Sequence, residues 1–139
     1  MNKKTKYIYL PVTALLLGMT SCRSGSEAID LNGDWKVSTI NGETVTETLE
    51  EVMLSFDNTT NSYHGVTGVN LINGSYRQHN QSLKLEEGAM TRKMGDPVSN
   101  DVEMKYVSAI HAVKSVRNKK GKLMLLDEKG KNLMTLDRR

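Results

Sequence analysis

The stretch from Gly65 to Tyr76 constrains the fold more than any other part of the sequence. It reads Gly-Val-Thr-Gly-Val-Asn-Leu-Ile-Asn-Gly-Ser-Tyr, with three glycines and two asparagines. Glycine inside a strand marks a bulge or a close approach of the backbone, and Asn73-Gly74 adds two more turn-forming residues. The stretch therefore predicts a turn-rich centre of the domain, with strands of a central hairpin on either side.

Several short segments alternate apolar and polar residues, which is the pattern of half-buried β-strands. Val52, Leu54 and Phe56 are predicted to face the core, and Met53 is predicted to face outward. Trp35 is the single tryptophan, at the start of an earlier strand. We interpret it as a core residue in preference to a ligand platform, because its ring buries a large apolar area.

One amphipathic segment predicts a long helix from about Pro97 to Val113. Asp96-Pro97 is a helix start, with aspartate as the N-cap and proline in the first helical position. Asn100 and Glu103 offer a second capping pair three residues later. The apolar residues recur at helical spacing and form a face wide enough to cover a sheet. These residues are Val98, Val102, Tyr106, Ala109, Ile110 and Val113.

The C-terminal segment predicts two hairpins that share one turn design. Asn118 and Asp127 each stand three residues before a glycine, which is typical of a type I turn closed by a left-handed glycine. Residues 117–122 look like a basic patch, which we interpret as a solvated hairpin tip in preference to a phosphate site. The fold class predicted from all these elements is α+β, with a mainly antiparallel sheet curled towards a barrel and one helix packed on it.

The N-terminus has the order of a secretory signal: lysines, an apolar run from Tyr7 to Met19, and small polar residues before Cys22. The run contains Pro11 and is shorter than the roughly 20 residues of a spanning helix. Met19-Thr-Ser-Cys22 resembles the bacterial lipobox, although leucine is commoner than methionine at its first position. We predict a lipoprotein signal peptide at 1–21, a flexible tether at 22–30 with Cys22 lipidated, and one domain at 31–139.

Composition narrows the range of partners. Three of the 19 basic residues, Lys3, Lys4 and Lys6, lie in the predicted leader, which leaves 16 basic residues against 16 acidic ones. A nearly neutral mature chain argues against a nucleic-acid partner, which demands a strong positive field. Because Cys22 is the only cysteine, an intrachain disulfide and a Cys-rich zinc site are excluded. The sequence implies no cofactor.

Three short motifs resemble the META domain family, which includes the heat-inducible lipoproteins of the HslJ type. They are Leu-x-Gly-x-Trp at the start of the domain, Gly-x-Asn followed at fixed spacing by Gly and Tyr, and a Thr-containing segment before the helix. The matching residues are Leu31, Gly33, Trp35, Gly68, Asn70, Gly74, Tyr76 and Thr91. The resemblance covers about Leu31 to Arg138. It implies a stress-related or antibiotic-tolerance role with no settled ligand.

This chain departs from the family at two positions. Val69 and Gly95 stand where relatives have cysteines. The loss of both suggests that the two cysteines face each other in relatives, and it removes any thiol or metal chemistry proposed for them.

Three classes of function remain open. The first is a lipid-anchored, non-enzymatic cell-envelope protein on the outer membrane, facing the periplasm, with an unknown protein or small-molecule partner. The second is a module that binds a peptide, protein or glycan at the Asn-rich centre near Asn70. The third is a small hydrolase or metal-binding protein that uses His64, His79 and a nearby acid across the central hairpin. The sequence contains no Gly-x-Ser-x-Gly nucleophile motif.

Overall fold

The computed structural model describes residues 28–139, so the predicted leader and Cys22 lie outside the described residues. One helix, α1, spans Pro97–Ala112. The strands are β1 Gly33–Ile40, β2 Glu43–Thr44, β3 Met53–Asp57, β4 Ser62–Val66, β5 Leu71–His79, β6 Ser82–Met90, β7 Ser115–Lys119, β8 Lys122–Leu126 and β9 Asn132–Arg138.

The strands form one antiparallel sheet that closes on itself. Their order is β2-β1-β3-β4-β5-β6-β7-β8-β9, and β1 also pairs with β9. Eight strands therefore make a ring, and the short β2 extends one edge of β1. The predicted α+β class, with a mainly antiparallel curled sheet and one packed helix, is confirmed.

The ring is weakest between β6 and β7, where the helix is inserted in the chain. These strands share a single residue pair, Ser82 with Ser115. Tyr106, Ala109 and Ile110 of α1 are buried in the same core as the strand residues. The Tyr106 hydroxyl donates a hydrogen bond of 2.9 Å to the Met53 carbonyl of β3. The core cluster and its packed neighbours lie between Ile29 and Leu136, so residues 28–139 form a self-contained domain.

The helix begins and ends close to the predicted positions. Asp96 is the N-cap and accepts a hydrogen bond from the Ser99 amide, and Val113 caps the other end. Two details of the prediction are wrong. Val98 is 49% exposed, because Ser99 and not Val98 is the residue of the first turn of α1 that points into the protein. Asn100 is no cap, since its side chain binds the backbone N–H and carbonyl of Gly95.

One prediction about the central strands is also wrong, and another is incomplete. Met53 lies outside the core cluster, as predicted, but it is only 8% exposed, because its side chain lies in an apolar cleft with Val66 and Leu71. Asn73-Gly74 forms no turn but lies within β5, at a bulge against β6. The bend between β4 and β5 is instead made by residues 67–70.

The two C-terminal hairpins differ in their turns. Lys119 pairs with Lys122, so the first turn has two residues, Lys120 and Gly121, with φ of 53° and 81°. Two left-handed residues make a type I′ turn, so the predicted type I turn is wrong there. The second turn is as predicted: the Gly130 amide donates to the Asp127 carbonyl, and Gly130 has φ of 79°.

Successive connections alternate between the two ends of the ring, because neighbouring strands are antiparallel. We call one end the tether end, because the chain joins the domain there. Gln78 fixes this junction by donating from Nε2 to the Ile29 carbonyl at 2.7 Å. The tether end also holds the β3–β4, β5–β6 and β7–β8 turns. No helix within residues 28–139 is long and apolar enough to cross a membrane.

The opposite end of the ring, which we call the distal end, holds the β1–β2 and β8–β9 turns and is otherwise built from three connections. These are residues 45–52, 67–70 and 91–96. The helix starts at this end, where the Ser99 hydroxyl accepts a hydrogen bond from the Leu49 amide at 3.0 Å. The motif residues Gly68 and Asn70 lie in the 67–70 connection, and Thr91 begins the 91–96 connection.

Candidate functional site

Asn70 lies at the centre of a buried polar cluster at the distal end. Its side chain is 1% exposed and uses both its oxygen and its nitrogen. The oxygen accepts hydrogen bonds from the Lys93 amide at 2.7 Å and the Thr91 hydroxyl at 2.9 Å. The nitrogen donates to the Lys93 carbonyl at 3.0 Å. Asn70 thereby joins the 67–70 bend to the 91–96 connection.

Glu103 of α1 completes this cluster. Its carboxylate accepts from the Asn70 side-chain nitrogen at 2.8 and 3.1 Å, and from the Thr67 hydroxyl. The Thr67 oxygen in turn accepts from the Asn70 amide at 2.9 Å. Among the described residues Glu103 forms no ion pair, so its carboxylate is held by neutral donors. We call Thr67, Asn70, Thr91, Lys93 and Glu103 the Asn70 hub.

Gly68 and Gly95 flank the hub, and the local structure favours glycine at both positions. Gly68 has φ of 101°, a left-handed conformation that favours glycine. A Cβ placed on Gly95 would lie 2.6 and 3.1 Å from two methyl carbons of Val69. Positions 69 and 95 are therefore in direct contact in this chain.

A second group of motif residues closes the tether end of the core. Trp35 is 1% exposed, and its Nε1 donates to the Leu31 carbonyl at 2.8 Å. The guanidinium of Arg138 stacks 4.3 Å from the ring centroid. Arg138 also donates to the Asn32 carbonyl at 3.1 Å. Gly33 has φ of 115° and leaves room for this arginine. Trp35 is thus a buried core residue, with the cation covering one face of its ring.

Gly74 and Tyr76 of β5 pack against aromatic rings. A Cβ on Gly74 would lie 1.9 Å from the Glu86 carbonyl and 2.7 Å from the Tyr63 ring, so only glycine fits. Tyr76 meets Phe56 edge-to-face with the ring centroids 5.3 Å apart. Burial, and then the charge of Glu87, raise the pKa of Tyr63 to about 12. These two motif residues therefore serve packing.

The two histidines of the central strands are not brought together. His64 of β4 is opposite Asn73, and His79 at the end of β5 is opposite Ser82. The prediction that they face each other is wrong, because β5 continues six residues beyond Asn73. Over residues 28–139, no group of three His, Cys, Asp or Glu side chains is placed to hold a metal ion.

A cleft of about 650 Å³ opens at the tether end, beside the β5–β6 turn. Its lining includes the cations Arg77, Lys84 and Lys114 and no carboxylate side chain. Glu86, just outside the lining, pairs with Arg77 and Lys84. The hydrogen bond and charge of Arg77 lower the pKa of Glu86. Gln78, which binds the Ile29 carbonyl, also lines this cleft.

The model of the META domain matches residues 27–139. The chain belongs to the META domain family. No curated protein sequence matches it. The resemblance read from the motifs is confirmed, and the match spans the whole closed ring and its helix.

Solved structures share this fold at low sequence identity. A crystal structure of a duf4847 family protein from Bacteroides vulgatus ATCC 8482 is similar with a TM-score of 0.62 at 9% identity, over 80% of this chain and 95% of that one. An NMR structure of a protein from Burkholderia xenovorans gives 0.57 at 20% identity, over 78% and 83%. Another NMR structure gives 0.61 at 21% identity, over 77% and 89%.

Sequence reasoning misses several residues that hold this META domain together. The sequence pattern assigns Glu103 to a capping pair, although its carboxylate binds the Asn70 hub. It marks Gly65 as a close approach without naming the neighbour: a Cβ there would lie 2.1 Å from the Tyr106 hydroxyl. The sequence carries a partial signal for the bend, since Thr67 and Asn70 have the spacing of a side-chain-closed turn. It carries none for the partner on α1.

Proposed function

We propose that this META domain protein is a lipid-anchored, non-enzymatic protein of the cell envelope, held on the outer membrane and facing the periplasm. The observation that carries the proposal is the segment ending in Met19-Thr-Ser-Cys22, which follows an apolar run and precedes a short polar tether. Cleavage before Cys22 would free an amine and a thiol for acyl chains. Two or more such chains give stable membrane attachment.

The geometry of the motif residues supports a non-enzymatic role. The polar atoms of Asn70, Thr91 and Thr67 are engaged with each other and with Glu103. Thr67 and Asn70 are 0% and 1% exposed, so neither faces a substrate. The family signature in this chain therefore ties the 67–70 and 91–96 connections to the helix.

Replacing Cys22 tests the anchor. In cells that express the full chain, wild-type protein is expected in the membrane fraction after a high-salt wash, and Cys22→Ala is expected to be released. Ser24→Ala is the matched control, since it changes a small tether residue and leaves the acylation site intact. A Cys22→Ala protein that stays fully membrane-bound after the wash would contradict the proposal.

The resemblance to HslJ-type lipoproteins supports a stress-related role for the anchored protein. We expect a strain that lacks this protein to survive heat or antibiotic exposure less well. Expression of the wild-type chain should restore survival, and expression of the Cys22→Ala chain should not. Equal survival of all strains would contradict this role while leaving the anchor in place.

A binding module is the second candidate, favoured by apolar side chains around the distal end. Met94 is 92% exposed, Leu49 63%, Leu71 52% and Val98 49%. Apolar side chains that are exposed together mark interaction surfaces, and these four lie in or beside the connections of the distal end. A photo-crosslinking residue in place of Met94 should capture a partner in living cells. The same residue at Asn118, on the tether end, should not capture it if the distal end is the binding surface.

A further inference from the structure

Charge is distributed unevenly between the two ends of the ring. On the tether end, the β7–β8 hairpin tip carries Arg117, Lys119, Lys120 and Lys122 within six residues that include no acid. On the distal end, residues 41–52 carry four glutamates and no lysine or arginine, whereas residues 91–96 and 127–131 carry four cations and three acids, so acids outnumber cations at this end. A chain whose predicted mature part is nearly neutral therefore has one basic and one acidic end.

The cleft beside the β5–β6 turn extends the basic surface of the tether end. Arg77, Lys84 and Lys114 line it without a carboxylate side chain among the lining residues. Three acids lie nearby. Glu86 pairs with Arg77 and Lys84. Asp57 accepts hydrogen bonds from the Thr59 amide and hydroxyl through one of its two carboxylate oxygens. Asp30 lies in the segment through which the chain joins the domain.

The anchor and the basic surface share one end of the molecule. Ile29, which Gln78 binds at the edge of the cleft, is seven residues from Cys22. Seven extended residues span at most roughly 23 Å. A lipid on Cys22 would keep the tether end close to the headgroups, within reach of their electrostatic attraction at low salt.

We propose that the tether end docks on the anionic phospholipid headgroups of the membrane that carries the anchor. This inference rests on the proposed lipid anchor for the nearness of the membrane. The hairpin tip and the three cations of the cleft contact the phosphates, and the distal end with its exposed apolar side chains faces away. Docking fixes the orientation of a domain that the flexible tether alone would leave free.

Vesicle binding by residues 23–139, which contain the complete domain and lack Cys22, tests the docking without the lipid. Wild-type protein should co-sediment with vesicles of phosphatidylcholine that contain about 30% phosphatidylglycerol, at about 0.1 M salt, and not with phosphatidylcholine alone. Binding should weaken steeply as salt rises. Equal binding to both kinds of vesicle would overturn the proposal.

The decisive variant is Arg117→Gln/Lys119→Gln/Lys120→Asn, in which asparagine tolerates the left-handed φ of 53° at position 120. All three side chains are exposed, so folding should be retained, and circular dichroism would verify this. Each cation near an anionic surface is worth roughly a fivefold change in binding, so the triple variant should bind roughly 100-fold more weakly.

The matched control is Arg92→Gln/Lys129→Gln/Lys131→Gln, which removes the same charge from the distal end. Its affinity for the anionic vesicles should be within about threefold of that of wild type, since the three substitutions lie at the end of the ring that faces away from the membrane. Equal losses in the two triple variants would show that net charge alone drives binding, and would overturn the proposal.

A soluble phosphate is the other source of the same chemistry. If glycerol phosphate perturbs the NMR signals of the cleft and the protein does not bind anionic vesicles, the cleft is a small-ligand site and the docking proposal is wrong.

Vesicle binding and Cys22 fractionation are independent measurements. Loss of one with retention of the other therefore distinguishes a failed docking proposal from a failed anchor.

Discussion

Asn70→Asp is the sharpest test of the Asn70 hub, because it changes one atom and reverses a hydrogen bond. In the wild type the side-chain nitrogen of Asn70 donates to both Glu103 oxygens, at 2.8 and 3.1 Å, and to the Lys93 carbonyl. The variant places a carboxylate oxygen there, facing a second carboxylate and a carbonyl. The ammonium of Lys93 offers no compensation, since it lies 3.9 Å from Glu50 and its side chain is 64% exposed.

The cost follows from two effects. Two unit charges about 4 Å apart at an effective dielectric constant of about 20 repel by about 4 kcal/mol. A buried acceptor left without its donor costs about 1–3 kcal/mol. Protonation of one carboxyl limits the repulsion, so we expect Asn70→Asp to lower the free energy of unfolding by about 3–5 kcal/mol near pH 7.5.

The destabilisation should depend on pH in a defined direction. Repulsion between Glu103 and the new carboxylate at position 70 raises the folded-state pKa of the carboxyl pair above its unfolded value. The shared proton therefore stabilises the folded variant at low pH, and this stability is lost as the pH rises through the raised pKa. The difference from wild type should be smallest near about pH 4 and largest above about pH 7.

Urea unfolding followed by the fluorescence of Trp35, the single tryptophan, measures these free energies. Asn73→Asp is the matched control: Asn73 is exposed, its oxygen accepts from the Ala89 amide, and aspartate keeps that acceptor. Combining Asn70→Asp with Glu103→Gln should restore a donor and recover at least half of the loss. A loss of unfolding free energy below about 1 kcal/mol for Asn70→Asp, or an equal loss at about pH 4 and about pH 7, would refute the reasoning.

Three further predictions concern the core, the cysteine positions and the helix cap. Trp35→Ala should cost about 3–5 kcal/mol in thermal or urea unfolding, because the buried ring leaves a cavity; a loss below about 1 kcal/mol would contradict its role in the core. Val69→Cys with Gly95→Cys should form a disulfide, because a Cβ on Gly95 would lie 2.6 and 3.1 Å from the two Val69 methyl carbons, and in a disulfide one Sγ lies roughly 3 Å from the opposite Cβ. Two free thiols after oxidation would contradict this prediction. Hydrogen bonds from Ser99 lower the pKa of Asp96, so its carboxylate stabilises the fold above the ordinary pKa and loses this effect as pH falls through the lowered value. The melting temperature of Asp96→Ala should therefore lie below that of wild type at pH 7 and converge with it in acid, and a constant difference would argue against the cap.

Local periodicity predicted the parts of the fold that local chemistry determines. Val52, Leu54 and Phe56 are buried as their alternation indicates, because side chains on a strand point to opposite faces in turn. Asp96 and Pro97 start the helix as predicted, since capping involves only the first turn. The same rules place Met53 correctly on the outer face but do not predict its burial, because the neighbouring strands that cover it are not specified by its own segment.

Long-range packing determines the features of the fold that local sequence patterns do not predict. The Asn73-Gly74 pair has a strong local turn signal, yet Gly74 stays in a strand because Tyr63 and the Glu86 carbonyl leave space only for glycine. The partner of Asn70 on α1 is 33 residues away in the chain. Neither contact follows from spacing, since the strand register and the position of the helix must be known first. Family motifs can indicate which residues matter before the structure shows what they touch.

Net charge illustrates the same limit, with a consequence for function. Summing 16 basic and 16 acidic residues over the mature chain gives a balance that argues against a polyanionic partner. The sum ignores position, and the alternating ring places the basic β7–β8 turn at one end and the glutamate-rich residues 41–52 at the other. Because screening confines electrostatic attraction to about 10 Å, a membrane responds to the nearer end and not to the sum. A neutral domain with a basic end beside its tether therefore suits attraction to an anionic leaflet, while the acidic distal end is repelled from it.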